Sequence, residues 1–435
     1  MKNYVVYLKC IDITNDWQGI CKKDGLVIFV KEMLIDEEAE VKIIAEKKNL
    51  AYGIIDKLIV PSKYRQESLC PISYKCGGCD FLYVDYNYQL VLKKHILEQT
   101  FKNMDLNIKI NDVIGADNPY EYRSKVQIPV NNHEFGFYRK YSNDIVEFDN
   151  CYIQSKLSND IFKYLKEKLL NLRIDKYIRH ILIKHCFGTN EVMLCLIVKD
   201  FNIPNIEELV NDIIIKFNDI KSFILNLNTR NDNVILGNEE KVLYGKNYVT
   251  DIFDGIKFNI SLKSFYQVNY EQMRKLYYLA KDLADVNDQT KLLDLYCGIG
   301  TISLFMARFC KDVVGVEIVK EAIENAKLNA EINGIKNATF YLDDANNEMD
   351  KYLIDKDVVI VDPPRKGLND KLINSLINSD IKKIVYISCN PATLARDLCK
   401  FEGYFSFDTV YPVDMFPNTK HVETVVLMSR VELVV

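Results

Sequence analysis

No stretch of this 435-residue chain comes near the roughly 20 consecutive apolar residues that a membrane-spanning helix needs. An α-helical integral membrane protein is therefore not expected. The opening Met1-Lys2-Asn3-Tyr4 does not begin a secretory signal, so the protein is read as cytoplasmic. Basic charge is not in excess either: 56 Lys and Arg stand against 61 Asp and Glu, a net charge of -5. A surface that is basic throughout is excluded, and any nucleic-acid partner must be held by a local patch. Internal repeats and low-complexity linkers are also lacking. The twelve cysteines have no secretory context, which excludes a disulfide framework because the cytosol keeps thiols reduced. Metal ligands and catalytic thiols are the readings that remain.

The length suggests two or three domains, and 48% hydrophobic residues are enough to build their cores. The first sixty residues alternate apolar and polar positions in short runs such as Leu26–Val30 and Glu40–Ile44, broken by Gly19, Gly25 and Gly53. That pattern predicts a small β-barrel. Pro61 to Asp80 is rich in cysteine and turn residues, and Tyr86 to Phe101 carries helical spacing at Leu90, Leu92, Ile96, Leu97 and Phe101. The middle of the chain mixes strands such as Glu191–Val198 with polar helices. From Lys291 a strand–turn–helix pattern repeats, with apolar runs at 292–295, 313–316, 358–361 and 384–387. Buried β-rich runs alternating with helices predict a doubly wound parallel sheet, an α/β fold. Such sheets bind ligands beyond the carboxyl ends of their strands.

Three segments fall at such ends. Asp294-Leu295-Tyr296-Cys297-Gly298-Ile299-Gly300-Thr301 is a strand entering a glycine turn, where bare backbone can approach a ligand. A dinucleotide fingerprint would place a third glycine three residues after Gly300, but Ser303 stands there and disfavours NAD. Glu317 ends the next strand, where a carboxylate can accept ribose hydroxyls, although a solvated strand-end glutamate fits too. Asp362-Pro363-Pro364-Arg365 and Ser388-Cys389-Asn390-Pro391 complete the set. Pro391 suits the first turn of a helix, so the helix start is expected to lower the Cys389 thiol pKa. Glu423 lies in an apolar run, Val422 to Leu427, where desolvation would raise its pKa; pairing with His421 or Lys420 is the alternative.

Together these segments resemble the RNA uracil-5 methyltransferases, and the likeness extends over nearly the whole chain. The resemblance implies a Rossmann-like S-adenosylmethionine methyltransferase domain preceded by an OB-like TRAM barrel and a mixed α+β central domain. The implied bounds are 1–59 for the barrel, 60–85 with 118–254 for the central domain, and 86–117 with 255–435 for the methyltransferase domain. It implies Cys389 as nucleophile toward carbon 6 of uracil and Glu423 as the base that removes the carbon 5 proton. The cofactor contacts carried over are Gln267, from Phe265-Tyr266-Gln267-Val268-Asn269, with Tyr296, Gly298, Gly300, Glu317, Asp344 and Asp362. Amino-group methyltransferases usually carry an aromatic where Arg365 stands, which favours carbon chemistry.

Cys70, Cys76 and Cys79, at intervals of five and two residues, resemble the grouped ligands of the family's [4Fe-4S] cluster, and Cys151 the remote fourth. Four thiolates can also hold zinc, but zinc sites more often use two close pairs. Between Tyr120 and Tyr141, Arg123, Lys125, Arg139 and Lys140 alternate with Tyr122, Phe135, Phe137 and Tyr138. The pattern suits phosphate contact with base stacking, and equally a hairpin with one buried face. Attack at carbon 6 requires a uridine unstacked from its neighbours, as in a loop. Members with a TRAM barrel and four cluster cysteines typically act on large-subunit ribosomal RNA, so the resemblance implies 23S ribosomal RNA as partner. A transfer-RNA substrate and a non-catalytic RNA-binding assembly factor are the alternatives. No protein or membrane partner is expected, and the chain is read as a monomer.

Overall fold

The computed structural model describes residues 4–131, 133–347 and 349–431. Strands β1 (Val5–Ile13), β2 (Gln18–Lys23), β3 (Leu26–Lys31), β4 (Glu38–Glu46) and β5 (Leu50–Val60) close into a barrel, as the alternating pattern predicts. Leu8, Cys10, Cys21, Ile28, Val30 and Val41 fill it, because alternate side chains of each strand point inward. Trp17 stacks on Phe81 with ring centroids 3.5 Å apart, joining the barrel to the segment that follows the cysteines. Helix α1 (Tyr86–Lys102) begins where the Asp85 side chain accepts the Tyr88 N–H, and it packs against the far end of the chain.

The next strands are β6 (Lys109–Ile110), β7 (Lys125–Asn131), β8 (Glu134–Tyr138) and β9 (Ile145–Glu147), followed by α2 (Lys156–Asn171). Then come β10 (Ile178–His185), β11 (Val192–Val198), α3 (Ile206–Lys216), β12 (Ile220–Leu227) and β13 (Glu239–Gly245). A central sheet runs β13-β12-β11-β10-β7-β8-β9, antiparallel except between β11 and β12. One face is covered by α2 and α3 through Ile161, Phe162, Leu165, Leu209 and Ile213. The other face, through Leu182, Met193, Cys195 and Ile224, joins the core of the carboxyl-terminal sheet. β14 (Tyr248–Phe253) and β15 (Ile256–Ser261) form a hairpin within that same core.

The remaining elements alternate as expected: α4 (Tyr270–Ala284), β16 (Lys291–Leu295), α5 (Thr301–Met306), β17 (Asp312–Glu317), α6 (Lys320–Ile332) and β18 (Ala338–Leu342). They continue with α7 (Asp350–Leu353), β19 (Val358–Val361), α8 (Asp370–Asn378), β20 (Lys383–Ser388) and α9 (Pro391–Phe401). β21 (Phe405–Ser406), β22 (Thr409–Val413) and β23 (Glu423–Arg430) close the chain. The sheet order is β18-β17-β16-β19-β20-β23-β22-β6. β16 through β20 are parallel, and the order reverses beside β16, which opens a crevice at the carboxyl ends of β16 and β19. Helices α4, α5 and α6 cover one face and α1, α8 and α9 the other, the Rossmann-like arrangement of a doubly wound sheet. Gly315 lies where an added Cβ would stand 2.6 Å from Phe340 and 2.9 Å from the Cys297 sulfur, so only glycine lets this layer close. Among the described residues no helix is long and apolar enough to cross a membrane.

Candidate active site

The turn after β16 is bent by three left-handed residues, Tyr296 (φ 66°), Gly298 (φ 55°) and Gly300 (φ 82°). For Tyr296 this conformation carries a steric penalty that the surrounding fold must offset. Glu317 stands at the end of β17, with one carboxylate oxygen accepting the N–H groups of Ile318 and Val319 and the other accepting the Gly298 N–H at 3.2 Å. Asp294 is fully buried; one oxygen accepts the Ser303 hydroxyl while the other has no partner, and burial pushes its carboxyl up to about 7. The Tyr296 hydroxyl is buried without a partner as well, in the field of Asp344, Asp397 and Glu317. Asp344 follows β18, where its side chain accepts from the backbone and amide of Asn346. The sequence pattern thus brings Tyr296, Gly298, Gly300, Glu317 and Asp344 to one end of the sheet. Gln267 is 6% exposed in the segment leading to α4, beside Ser124 of the central sheet.

The loops after β19 and β20 are bolted together. Asn390 caps α9 through Ala392 N–H and donates its amide to the Arg365 carbonyl, which also accepts from Thr393. Gly367 (φ 74°) has no room for a Cβ, which would lie 2.5 Å from the Asp397 carboxylate. These ties set Cys389, at the end of β20, in the field of Asp362, Arg365 and Glu423, the last at the start of neighbouring β23. Burial pushes Glu423 up to about 8, reinforced by Asp362 and opposed by Arg365. Burial likewise pushes Asp362 up to about 7. The ion pairs among the described residues do not join Glu423 to Lys420, whose ammonium meets Asp16 at 2.9 Å.

One expectation is reversed. Cys389 is not lowered by the helix start but pushed up to about 11. Burial of the thiol is the largest cause, followed by the negative fields of Glu423 and Asp362; Arg365 is the cation that opposes them. Desolvation and two nearby carboxylates both disfavour the thiolate, against the lowering expected of a helix start.

A cavity of about 750 Å³ adjoins this cluster and runs between the central and carboxyl-terminal sheets. Its lining includes Arg365, His421 and Phe265 together with Cys70, Cys76, Cys79 and Cys151. Arg123, Lys125, Arg139, Lys140 and Lys420 also line it, against Asp80, so an acidic chain carries a locally cationic hollow. The aromatic half of the interleaved pattern divides: Tyr122 and Phe135 are 6% and 0% exposed core residues, unable to stack on a ligand. Phe137 and Tyr138 face the cavity. Sequence reasoning named His421 only as a possible partner of Glu423; its ring nitrogen instead lies 3.4 Å from the Arg365 guanidinium, and burial lowers its pKa to about 4. Its position beside Glu423 in the chain was the only signal.

The four cysteines act on one another electrostatically: Cys79 feels Cys151, Cys76 and Cys70. The Gly78 N–H reaches the Cys76 sulfur at 3.3 Å, and backbone N–H groups of Ile72 and Ser73 near Cys70, and of Ile153 and Gln154 near Cys151, partly offset the upward push of burial on those thiols. Among the described residues no group of three His, Cys, Asp or Glu side chains is drawn together tightly enough to hold a single metal ion.

Residues 85–431 match the tRNA (uracil-5-)-methyltransferase family. The chain belongs to that family. It is 40% identical to an uncharacterized RNA methyltransferase of Bacillus cereus, covering 99% of this chain and 98% of the relative. It is 42% identical to another from Clostridium acetobutylicum, covering 99% and 97%. Among solved structures it resembles the Pyrococcus abyssi tRNA (uracil-54, C5)-methyltransferase bound to S-adenosyl-L-homocysteine. That similarity has a TM-score of 0.78 at 27% identity over 97% of this chain and 99% of that one. The family match covers the doubly wound sheet and begins after the barrel, while the Bacillus, Clostridium and Pyrococcus relatives align over nearly the full length of the chain.

Proposed function

We propose that the protein methylates carbon 5 of an unstacked uridine in 23S ribosomal RNA through a transient bond between the Cys389 sulfur and carbon 6 of the base. The observation that carries this reading is the grouping of a half-buried thiol, two carboxyls of raised pKa and an exposed arginine beside a cationic cavity. Carbon 5 of uracil is a weak nucleophile. Addition of the Cys389 thiolate to carbon 6 makes an enolate that places electron density on carbon 5. S-adenosylmethionine, when bound, supplies the methyl group that this carbon takes. Glu423 then accepts the carbon 5 proton, the carbon 5–carbon 6 double bond re-forms, and the thiolate leaves. A carboxylate with a raised pKa is a stronger base than an exposed one, which suits that step.

The cofactor reading rests on groups waiting for partners. In this reading Glu317 accepts ribose hydroxyls, the turn at Gly298 and Gly300 lets backbone approach the cofactor, and Gln267, Tyr296, Asp344 and Asp362 are the further cofactor contacts. The cysteines fit a [4Fe-4S] cluster held by Cys70, Cys76, Cys79 and Cys151, because N–H groups directed at sulfur stabilise cluster-bound thiolates. The cluster would supply rigidity and help position RNA; the methylation is not a redox reaction. The domain bounds of 1–59, 60–85 with 118–254, and 86–117 with 255–435 are part of this reading, with the barrel as a TRAM module that grips RNA outside the cavity.

The substrate has a second reading favoured by one observation: the archaeal relative matched over 97% of this chain is a transfer-RNA enzyme. Incubating the protein with methyl-labelled S-adenosylmethionine and either unmodified 23S ribosomal RNA or unmodified transfer RNA separates the two. Label in the former, lost in Cys389→Ala, supports the proposal. Label confined to transfer RNA transfers the assignment, and label in neither refutes catalysis in favour of an RNA-binding assembly factor.

A further inference from the structure

The hairpin of β22 and β23 pairs Val413 with Glu423, so residues 414–422 form its loop and Glu423 is the first residue beyond. Loops of this length normally run over the surface. This one does not: Asp414, Met415, Asn418, Thr419 and Val422 are all buried. A buried loop must have its polar groups satisfied from elsewhere in the chain. Here they are met by segments hundreds of residues away.

The centre of that anchorage is Lys93 of α1, 1% exposed. Its ammonium donates to the Asp414 carboxylate at 2.6 Å, the His421 carbonyl at 2.9 Å and the Phe416 carbonyl at 3.3 Å. Three donors meet three acceptors, so the group is saturated. The acceptors span the loop from its first residue to the residue two before Glu423. One helical turn earlier, Gln89 clasps Asn418, donating to its side chain at 3.1 Å and accepting its N–H at 3.2 Å. Tyr86 donates to the other Asp414 oxygen at 2.9 Å. From the start of α4, Asn269 and Gln272 donate to the carbonyls of Met415 and Asp414.

The cysteine segment holds the same loop. Asp80, next to Cys79, accepts the Lys420 N–H at 2.9 Å, while the N–H groups of Asp80 and Phe81 both reach the Asn418 carbonyl. Cys389 is held differently, through the Arg365–Asn390 and Arg365–Thr393 ties. The strand that leads to Cys389 also pairs with β23 at Ser388 and Thr424. Loosening the 414–422 loop therefore acts first on Glu423, where the loop joins β23, while the Arg365–Asn390 and Arg365–Thr393 ties of the thiol remain.

We propose that Lys93 and Asp80 are positioning residues for Glu423: through the 414–422 loop they lock the base-bearing strand to α1 and to the cysteine segment. The proposal rests on the covalent uracil mechanism and predicts a distinctive defect. Addition of Cys389 and methyl transfer precede the proton removal that Glu423 performs, so a misplaced base lets the methylated protein–RNA adduct form and delays its release. A general loss of structure would reduce adduct and product together.

The test uses the full-length protein carrying Lys93→Met, Asp80→Ala or neither, with the RNA substrate and methyl-labelled S-adenosylmethionine, quenched in denaturant. Turnover and the label retained in denaturant-resistant protein–RNA complex are both measured. Each variant is expected to lose about tenfold or more in kcat, with KM values within about twofold, while the labelled adduct rises severalfold. Unchanged turnover, or adduct and product falling in parallel, overturns the proposal. Should Lys93→Met not fold, Asp80→Ala decides alone, since Asp80 lies at the cavity wall. Wild-type protein with 5-fluorouridine RNA is run alongside; if it forms no adduct, the covalent mechanism fails and this proposal with it.

Discussion

The reversed pKa of Cys389 makes a prediction that needs no RNA. An unperturbed thiol with pKa 9.0 is about 1% ionised at pH 7, whereas one pushed up to about 11 is about 0.01% ionised. Alkylation by iodoacetamide follows the thiolate, so Cys389 should react about a hundredfold more slowly than an ordinary cysteine at pH 7. Its rate should still be climbing tenfold per pH unit at pH 9, where a free thiol has begun to level off. Burial is the largest cause of the upward displacement, followed by the fields of Glu423 and Asp362. Glu423→Gln removes a negative field only where that carboxyl is ionised, so it should speed alkylation severalfold at pH 9, above the Glu423 pKa of about 8, and change it little at pH 7. Arg365→Ala removes the opposing cation and should slow it. The assay is peptide mass spectrometry after timed alkylation, which reads Cys389 separately from the other eleven cysteines. A Cys389 that alkylates at pH 7 as fast as a free thiol would refute the reasoning, as would a Glu423→Gln variant that reacts more slowly. The expected result means that the thiolate is generated in the RNA complex, and that the resting enzyme is shielded from stray electrophiles.

The remaining predictions concern the other parts of the molecule. Glu423→Gln should lower turnover by about 10²–10⁴ and accumulate methylated adduct. With Glu423 at about 8, wild-type turnover limited by the base step should rise between pH 6.5 and 8.5 and level off above; a rate that falls over this range contradicts that assignment. Glu317→Ala should weaken S-adenosylmethionine binding about tenfold or more in calorimetry, through loss of charge-assisted hydrogen bonds, while RNA affinity stays unchanged. Phe305 is fully buried, with rings of Phe253, Tyr277, Tyr278 and Phe309 within 6.1 Å. Phe305→Ala should cost about 3–5 kcal/mol in denaturant unfolding. Cys79→Ser in anaerobically purified protein should abolish visible absorbance and bound iron; full iron content in the variant, or zinc in the wild type, would contradict the cluster.

Much of the fold was legible because its signals are local. Four buried strands of the carboxyl-terminal sheet read as short apolar runs, and β16, β17, β19 and β20 lie where those runs stand. Glu317 and Cys389 stood out for the same reason: each ends or follows such a strand, and a doubly wound sheet binds ligands beyond the carboxyl ends of its parallel strands. The alternation of arginines and lysines with aromatics was ambiguous because a period-two pattern does not reveal which face is covered. Only the packing of the central sheet put Tyr122 and Phe135 inside and left Phe137 and Tyr138 on the cavity.

By itself, then, the amino-acid order determined the alternating elements, the glycine turn with its left-handed backbone, and the candidate chemistry of a thiol, a carboxylate and four grouped cysteines. Tertiary structure alone decided the electrostatics of those groups and the frame that holds them. The upward Cys389 shift comes first from burial and then from Glu423 and Asp362, brought beside it by strand order rather than by chain proximity. The loop before Glu423 is secured by Lys93, 321 residues from its Asp414 partner. A pKa depends on the solvent excluded and the charges nearby, and a buried hydrogen bond on which segments meet; neither exists until the chain has folded.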